Sequence, residues 1–318
     1  MRPLIVSLIP RSLPPVIYDR LAEIGDVVFW PSLDPARRTE AAERAQVLIA
    51  TSSSRVDKAV LDTFPNVRMI GDFGVGFDGY DTAEIARRGI HLSHTPGVLS
   101  DDVADLAFAL MLDAARLMPA SDRLVHEGRW PQGGMPLGVK VSGKRIGIAG
   151  LGRIGMEIAR RAEGFKMTVG YTARTDKNVP WQRFPDMRAL AEWSDFLVVV
   201  IPGSPETHHL VNAEVLAALG PKGFLINVAR GSLVDTTALI RALESGTIAG
   251  AGLDVFEHEP YVEDQLRRLP NAVLTPHVGS ATVETRTAMA HLVADNVKAW
   301  TEKRPLITPV PGTERDPD

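Results

Sequence analysis

Three short segments of the 318-residue chain gather the side chains best suited to polar chemistry. They are Asn227-Val228-Ala229-Arg230-Gly231, Asp254-Val255-Phe256-Glu257-His258-Glu259-Pro260 and Thr275-Pro276-His277-Val278-Gly279-Ser280. Each follows an apolar, strand-like run, and in doubly wound folds the ends of such strands carry the ligand sites. Together they supply one guanidinium, several carboxylates and one imidazole. A planar guanidinium can grip a carboxylate and polarise a neighbouring carbonyl, and an imidazole can deliver a proton near neutral pH. That pairing suits a 2-oxo acid, with Arg230 as the clamp and His277 as the proton donor. A single Arg or His would more often be an ion-pair partner or a satisfied side chain, so the weight rests on their joint placement.

A second chemical signal precedes these. Gly150-Leu151-Gly152-Arg153-Ile154-Gly155 follows the strand Arg145 to Ala149 and opens a helix with apolar Ile154, Ile158 and Ala159. Gly150 allows the tight turn, Gly152 lets backbone amides approach a pyrophosphate, and Gly155 lets helix and strand pack closely. An acidic residue about 20 positions on would bind a ribose 2′-hydroxyl. Uncharged Thr172 stands there, followed by Arg174, Thr175 and Lys177. Arg174 with Thr172 and Thr175 can bind a 2′-phosphate, which favours NADP(H). NAD(H) remains possible if Asp176 takes the acid's role.

The elements that must position these groups follow a βαβ rhythm. Short β-branched runs at 4–8, 27–30, 47–50, 69–72 and 90–93 alternate with helical patterns at 15–24, 39–45, 56–64 and 82–88. Ser100 reads as the N-cap of a helix over 101–117, and 129–139, with three glycines and two prolines, reads as loop. The rhythm then restarts, with strands at 145–149, 168–172, 196–201, 225–228, 250–254 and 273–275 and a long closing helix over 283–303. The fold class is α/β, with two doubly wound parallel-sheet domains. Residues 1–98 plus 283–318 form one (flavodoxin-like), and 99–282 form a Rossmann-type dinucleotide-binding domain.

Composition limits the alternatives. Hydrophobic residues at 45% and charged residues at 23% are ordinary for a chain with a packed core. Lys plus Arg (35) against Asp plus Glu (39) leaves −4, too mild for a nucleic-acid or membrane surface, so neither partner is expected. With no cysteine there is no disulfide, thiolate nucleophile or cysteine-ligated metal. The N-terminal stretch, broken by Pro3 and Pro10, reads as a strand rather than a signal peptide, and a cytoplasmic location is expected. His91 and His94 lack a completing carboxylate, and His126, His208, His209, His258 and His291 show no chemical company along the chain. No metal is expected.

These motifs, in this order, resemble the D-isomer-specific 2-hydroxyacid dehydrogenase family over nearly the whole chain. Gly74-Val75-Gly76-Phe77-Asp78 is similar to the family's loop for substrate carboxylate, and Thr95-Pro96-Gly97-Val98 with Asp102-Val103-Ala104-Asp105 to its hinge and dimer helix. The resemblance implies that Arg230 binds substrate, His277 is the acid–base, and Glu259 holds His277 and raises its pKa. Glu259 is chosen over Glu257 because the family's acid directly precedes the proline. It also implies that Asp254 and the Val228 carbonyl orient the nicotinamide, with Arg153, Ile154, Pro202, Thr207 and Gly279 lining the rest of the cofactor. Ser53, Val75, Gly76 and Ser280 would line the substrate.

The stretch 94–118 and the 171–174 loop resemble the NADPH-using glyoxylate/hydroxypyruvate reductases and the hydroxyphenylpyruvate reductases. Gly133 and Gly134, in the loop around Trp130, imply room for acids larger than glyoxylate, and that loop could reach a partner's site. A homodimer through helix 101–117 is expected, with domain closure hinged near Val98 and Ala281. A dinucleotide-sensing co-repressor-like protein and a phosphite-oxidising enzyme are the rival readings.

Overall fold

The computed structural model describes residues 2–315, so residues 1 and 316–318 of the expected first domain lie outside it. The chain divides into two compact units. One comprises residues up to Leu99 and those from Ser280 onward, the other Ser100–Gly279. Leu99 and residues 280–282 thus sit with the first unit. Local bonding explains the shift: the Thr282 side chain caps helix Val283–Thr301 by accepting from the Thr285 amide, and Arg286 Nε donates to the Ser280 carbonyl at 3.1 Å.

In the first unit, five strands run in the spatial order Asp26–Phe29, Leu4–Ser7, Ala45–Thr51, Met69–Phe73, His91–Ser93, all pairings parallel. The chain reverses its direction of sheet growth between Leu4–Ser7 and Ala45–Thr51. Ser53 and its neighbours leave the second of those strands, at the crevice where such sheets bind ligands. Ile5, Val6, Val47, Leu48, Ile49 and Ile70 are fully buried, as strands covered on both faces require. Helix Pro35–Arg44 starts four residues before the expected Thr39, because Asp34 caps it through the Ala36 amide and Pro35 fits its first turn.

The second unit holds seven strands in the order Ala272–Leu274, Gly250–Leu253, Phe224–Asn227, Phe196–Val199, Arg145–Ala149, Thr168–Thr172, Gln182–Arg183. All are parallel. The wholly apolar Phe196–Val199 occupies the centre, buried on both faces. Sheet growth reverses between it and Arg145–Ala149, so the Gly150–Gly155 turn and the segment after Val199 flank the switch point.

Several short elements escape sequence reading. Helices Met118–His126, Met187–Trp193 and Asp264–Arg268 and strand Gln182–Arg183 are two turns or less, or lack an apolar face to betray them. Ser100, expected as an N-cap, is itself the first residue of helix Ser100–Arg116. Within that helix Val103, Phe108 and Leu110 are buried in their own unit, and the Phe108 ring packs on Phe165 at 5.0 Å. Large exposed apolar side chains lie just beyond it, at Met118, Val125, Trp130 and Leu137, and elsewhere at Tyr261, Val283 and Ile307. Among the described residues no helix is long and apolar enough to cross a membrane.

Candidate active site

The glycine-rich turn depends on its glycines. Gly150 has φ +103°, and a Cβ on Gly155 would lie 2.0 Å from the Gly150 carbonyl oxygen, so the turn closes only with glycine there. A Cβ on Gly152, by contrast, would meet nothing within 4 Å. No side chain caps helix Arg153–Gly164. Its first amides, with the positive end of the helix dipole, are therefore left for an anion. Arg153 is exposed and Ile154 half-buried beside this opening. Across the switch point the Thr207 hydroxyl is engaged by its own turn, donating to the Pro202 carbonyl at 3.0 Å and accepting from the Ser204 amide at 2.8 Å. Thr207 therefore shapes the 202–207 turn, a task not foreseen for it.

At the end of strand Thr168–Thr172, Arg174 and Thr175 are exposed and Thr172 half-buried. The Asp176 carboxylate accepts from the Tyr171 hydroxyl at 3.0 Å and the Lys177 amide at 2.9 Å. Arg183 donates to the Ala173 carbonyl at 3.0 Å, placing a second guanidinium beside the loop. Its strand is two residues long, too short to announce itself.

The imidazole and carboxylates meet at the same edge of the sheet. His277 Nδ1 lies 2.7 Å from Glu259 Oε2, and the other Glu259 oxygen accepts from the Phe256 amide at 3.0 Å. Burial pushes the Glu259 carboxyl up, but the bond and charge of His277, the Phe256 amide and the Arg230 guanidinium outweigh it and hold it below its ordinary value. An ionised carboxylate only accepts, so His277 Nδ1 carries the hydrogen and Nε2 is the atom left for a reacting group. Glu257 bonds elsewhere, to His209 and Thr236.

Asp254 and Asn227 set the loops. The buried Asp254 carboxylate accepts from the Thr275 hydroxyl at 2.7 Å and from the Val278 and Gly279 amides at 2.8 Å each, while its carbonyl takes the His277 amide. Burial raises the Asp254 carboxyl above its ordinary value against the pull of these donors. Asp254 thus folds the turn that carries His277, which sits at φ +53°. Fully buried Asn227 donates to the Arg230 carbonyl at 2.8 Å and accepts from the Ala229 amide, fixing the stretch after Val228. A Cβ on Gly231 would lie 1.9 Å from the Phe256 carbonyl carbon, so the Arg230 and Glu259 loops touch backbone to backbone.

In the first unit the loop 74–77 is tethered by Thr95, whose amide and hydroxyl both donate to the Gly74 carbonyl, and by His94, whose Nδ1 is 3.1 Å from the Val75 carbonyl. Val75 and Gly76 are half-buried and Ser53 exposed. Arg286, for which no motif argued, stacks over Phe73 at 5.5 Å, and burial lowers its pKa from the ordinary arginine value.

One expectation about the histidines is overturned. His208 and His209, read as lacking company, converge with Glu257: the two rings stack at 3.8 Å, and His209 Nε2 is 2.7 Å from Glu257 Oε1.

Comparison with known proteins agrees with this architecture. Residues 108–279 match the family described as D-isomer specific 2-hydroxyacid dehydrogenase, NAD binding domain. A hydroxyphenylpyruvate reductase of Plectranthus scutellarioides is 46% identical over 270 residues, 85% of this chain and 86% of that protein. A glyoxylate/hydroxypyruvate reductase A of Arabidopsis thaliana is 44% identical over 284 residues, 89% and 91% of the two chains. Among solved structures, the NADPH-dependent glyoxylate/hydroxypyruvate reductase of Sinorhizobium meliloti, in complex with NADP and malonate, superposes with a TM-score of 0.92. It is 41% identical and covers 99% of both chains.

Proposed function

Because this chain belongs to the D-isomer-specific 2-hydroxyacid dehydrogenase family and is an oxidoreductase, we propose that it reduces small 2-oxo acids, glyoxylate and hydroxypyruvate foremost, to D-2-hydroxy acids with NADP(H). The observation that carries this reading is the His277–Glu259 pair beside Arg230, at the same sheet edge as the anion-binding turn. Bound at that turn, a reduced nicotinamide dinucleotide supplies the hydride. The rest falls to the chain's own groups. Arg230 holds the substrate carboxylate and polarises its carbonyl, a geometry that a planar guanidinium serves well. His277 Nε2 gives the proton that the developing alkoxide needs, and Glu259 fixes the ring through Nδ1. Asp254 acts through the turn it organises. We assign the first unit's Val75 and Gly76 amides, with Ser53 and Ser280, to the substrate's polar groups. The first unit is accordingly the substrate domain and the second the cofactor domain.

The pyrophosphate is assigned to the amides from Gly152 to Gly155, where the open space at Gly152 fits a phosphate. The 2′-phosphate is assigned to Arg174, Thr172 and Thr175. What supports NADP(H) over NAD(H) is that uncharged Thr172 ends the strand and exposed Arg174 follows it, while Asp176 Oδ1 is turned to the Tyr171 hydroxyl and the Lys177 amide. A larger 2-oxo acid is the second reading, favoured by the similarity to the hydroxyphenylpyruvate reductase and by open space at Gly133 and Gly134. We assign a homodimer contact to the exposed apolar residues of 118–137, adjoining the helix first expected to carry it.

The test is the initial rate of loss of reduced-nicotinamide absorbance with glyoxylate, hydroxypyruvate, pyruvate and phenylpyruvate, each with NADPH and NADH. Turnover of the smaller acids with NADPH is expected. Faster turnover with NADH would reverse the cofactor assignment, and no turnover with any pair would remove the reductase reading.

A further inference from the structure

His208, His209 and Glu257 take no part in the chemistry above, yet three separate stretches of the second unit bring them together. The histidines follow the turn Pro205–Thr207, Glu257 follows strand Gly250–Leu253, and Thr236, which opens helix Thr236–Glu244, donates its hydroxyl to Glu257 Oε2 at 2.9 Å. His209 Nε2 lies 2.7 Å and His208 Nε2 4.0 Å from the same oxygen, Glu257 Oε1. One ligand atom from each of the three residues falls within 4.8 Å of the others. A hydrogen bond between His209 and Glu257 would account for those two residues alone. It does not account for His208, whose ring stacks on His209 and points its Nε2 at the carboxylate already engaged. The His209 backbone is held at φ +52°, with its amide on the Ser232 carbonyl, so its ring position is fixed by the fold rather than by a surface rotamer alone.

We propose that His208, His209 and Glu257 form a binding site for one divalent transition cation of the zinc class. Two imidazole nitrogens and one carboxylate oxygen are a donor set such cations take, with a fourth position open to water. Bonds of about 2.0–2.2 Å in a tetrahedron put donor atoms about 3.4 Å apart. The 2.7 and 4.0 Å separations bracket that spacing and the third lies within 4.8 Å, so small side-chain rotations bring the three donors to it. Thr236 orients the carboxylate from behind, as outer partners of metal ligands commonly do. Exposed His208 gives access from solvent, and a chain without cysteine offers no thiolate to compete. A bound ion ties the segment carrying Thr207 to the loop carrying Glu259.

The experiment is calorimetric titration of Zn²⁺ into the full chain, first stripped with chelator, at pH 7. One ion per chain is expected. His208→Ala and Glu257→Gln should each weaken binding by more than about tenfold. His209→Asn, which tolerates the left-handed backbone, should abolish it. Circular dichroism checks that each variant is folded, and His277→Ala should bind as the parent does. Absence of saturable binding would overturn the proposal. So would undiminished binding in His208→Ala and His209→Asn, or binding lost only in His277→Ala, which would put the ion on the His277–Glu259 pair.

Discussion

His277 turns its Nδ1 onto Glu259 Oε2 at 2.7 Å, and the Glu259 carboxyl is held below its ordinary value with Arg230 among the causes. The consequence is directional. The carboxylate can only accept from Nδ1, so Nε2 is the ring atom left for a reacting group.

His277→Ala should lower kcat by about 10²- to 10⁴-fold while leaving KM within a few-fold, as expected for a general acid. Arg230→Ala should lower kcat and raise KM together. Because His277 sits in the left-handed region, His277→Asn is the better-folded control. Steady-state kinetics check all three, and parental rates in His277→Asn would remove the residue from the mechanism.

Glu259 also marks stability against pH. Its native pKa lies below the ordinary 4.5, so the native state binds fewer protons than the unfolded chain in that range. The stability it contributes is complete above about pH 4.5 and is lost as pH falls through the lowered native value. Glu84, held to about 2 by its bonds to Arg87 and Arg88, has the same sign. Urea unfolding of Glu259→Gln should therefore show a deficit at pH 7 that narrows by pH 3. A deficit independent of pH would contradict this.

The two glycines of the turn should separate folding from binding. Gly155→Ala drives a Cβ to within 2.0 Å of the Gly150 oxygen and should cost about 1–3 kcal/mol. Gly152→Ala meets no protein atom within 4 Å at an ordinary φ of −85°. It should unfold like the parent but bind NADPH poorly. Thermal denaturation and fluorescence titration distinguish them.

Arg174→Ala should raise KM for NADPH by about 10- to 100-fold, the worth of a charged hydrogen bond. KM for NADH should move little. Equal effects on both cofactors would deny Arg174 contact with the 2′-phosphate.

Light scattering at micromolar concentration should give a dimer. Leu137→Asp, at a side chain 99% exposed in the single chain, should shift it toward monomer. A dimer unaffected by this change would place the interface elsewhere.

Much of this was legible along the chain because it depends on local rules. The βαβ rhythm shows in short apolar runs, and the strand–turn–helix around Gly150–Gly155 shows because only glycine permits so close an approach. Helix Met118–His126, which buries no side chain, helix Asp264–Arg268 and strand Gln182–Arg183 were not legible, since an unburied helix needs no apolar stripe and five or two residues carry little period. Loop groups behaved in between. That His277 ends a strand is readable, but the sorting of Glu257 to His209 and Glu259 to His277 is not. It depends on how the loop after strand Gly250–Leu253 folds against Gly231 and the turn after Val199.

The sequence by itself thus determined the fold class, the glycine-rich strand–turn–helix and the identity of the chemical groups, all of which follow from residue type and near-neighbour spacing. Tertiary structure alone decided which carboxylate meets which imidazole, turned the Thr207 hydroxyl onto its own loop and buried Phe108. It also placed His208 and His209 beside Glu257. Those outcomes depend on loops that leave different strands of one sheet, whose mutual distance is set by strand order and packing rather than by separation along the chain.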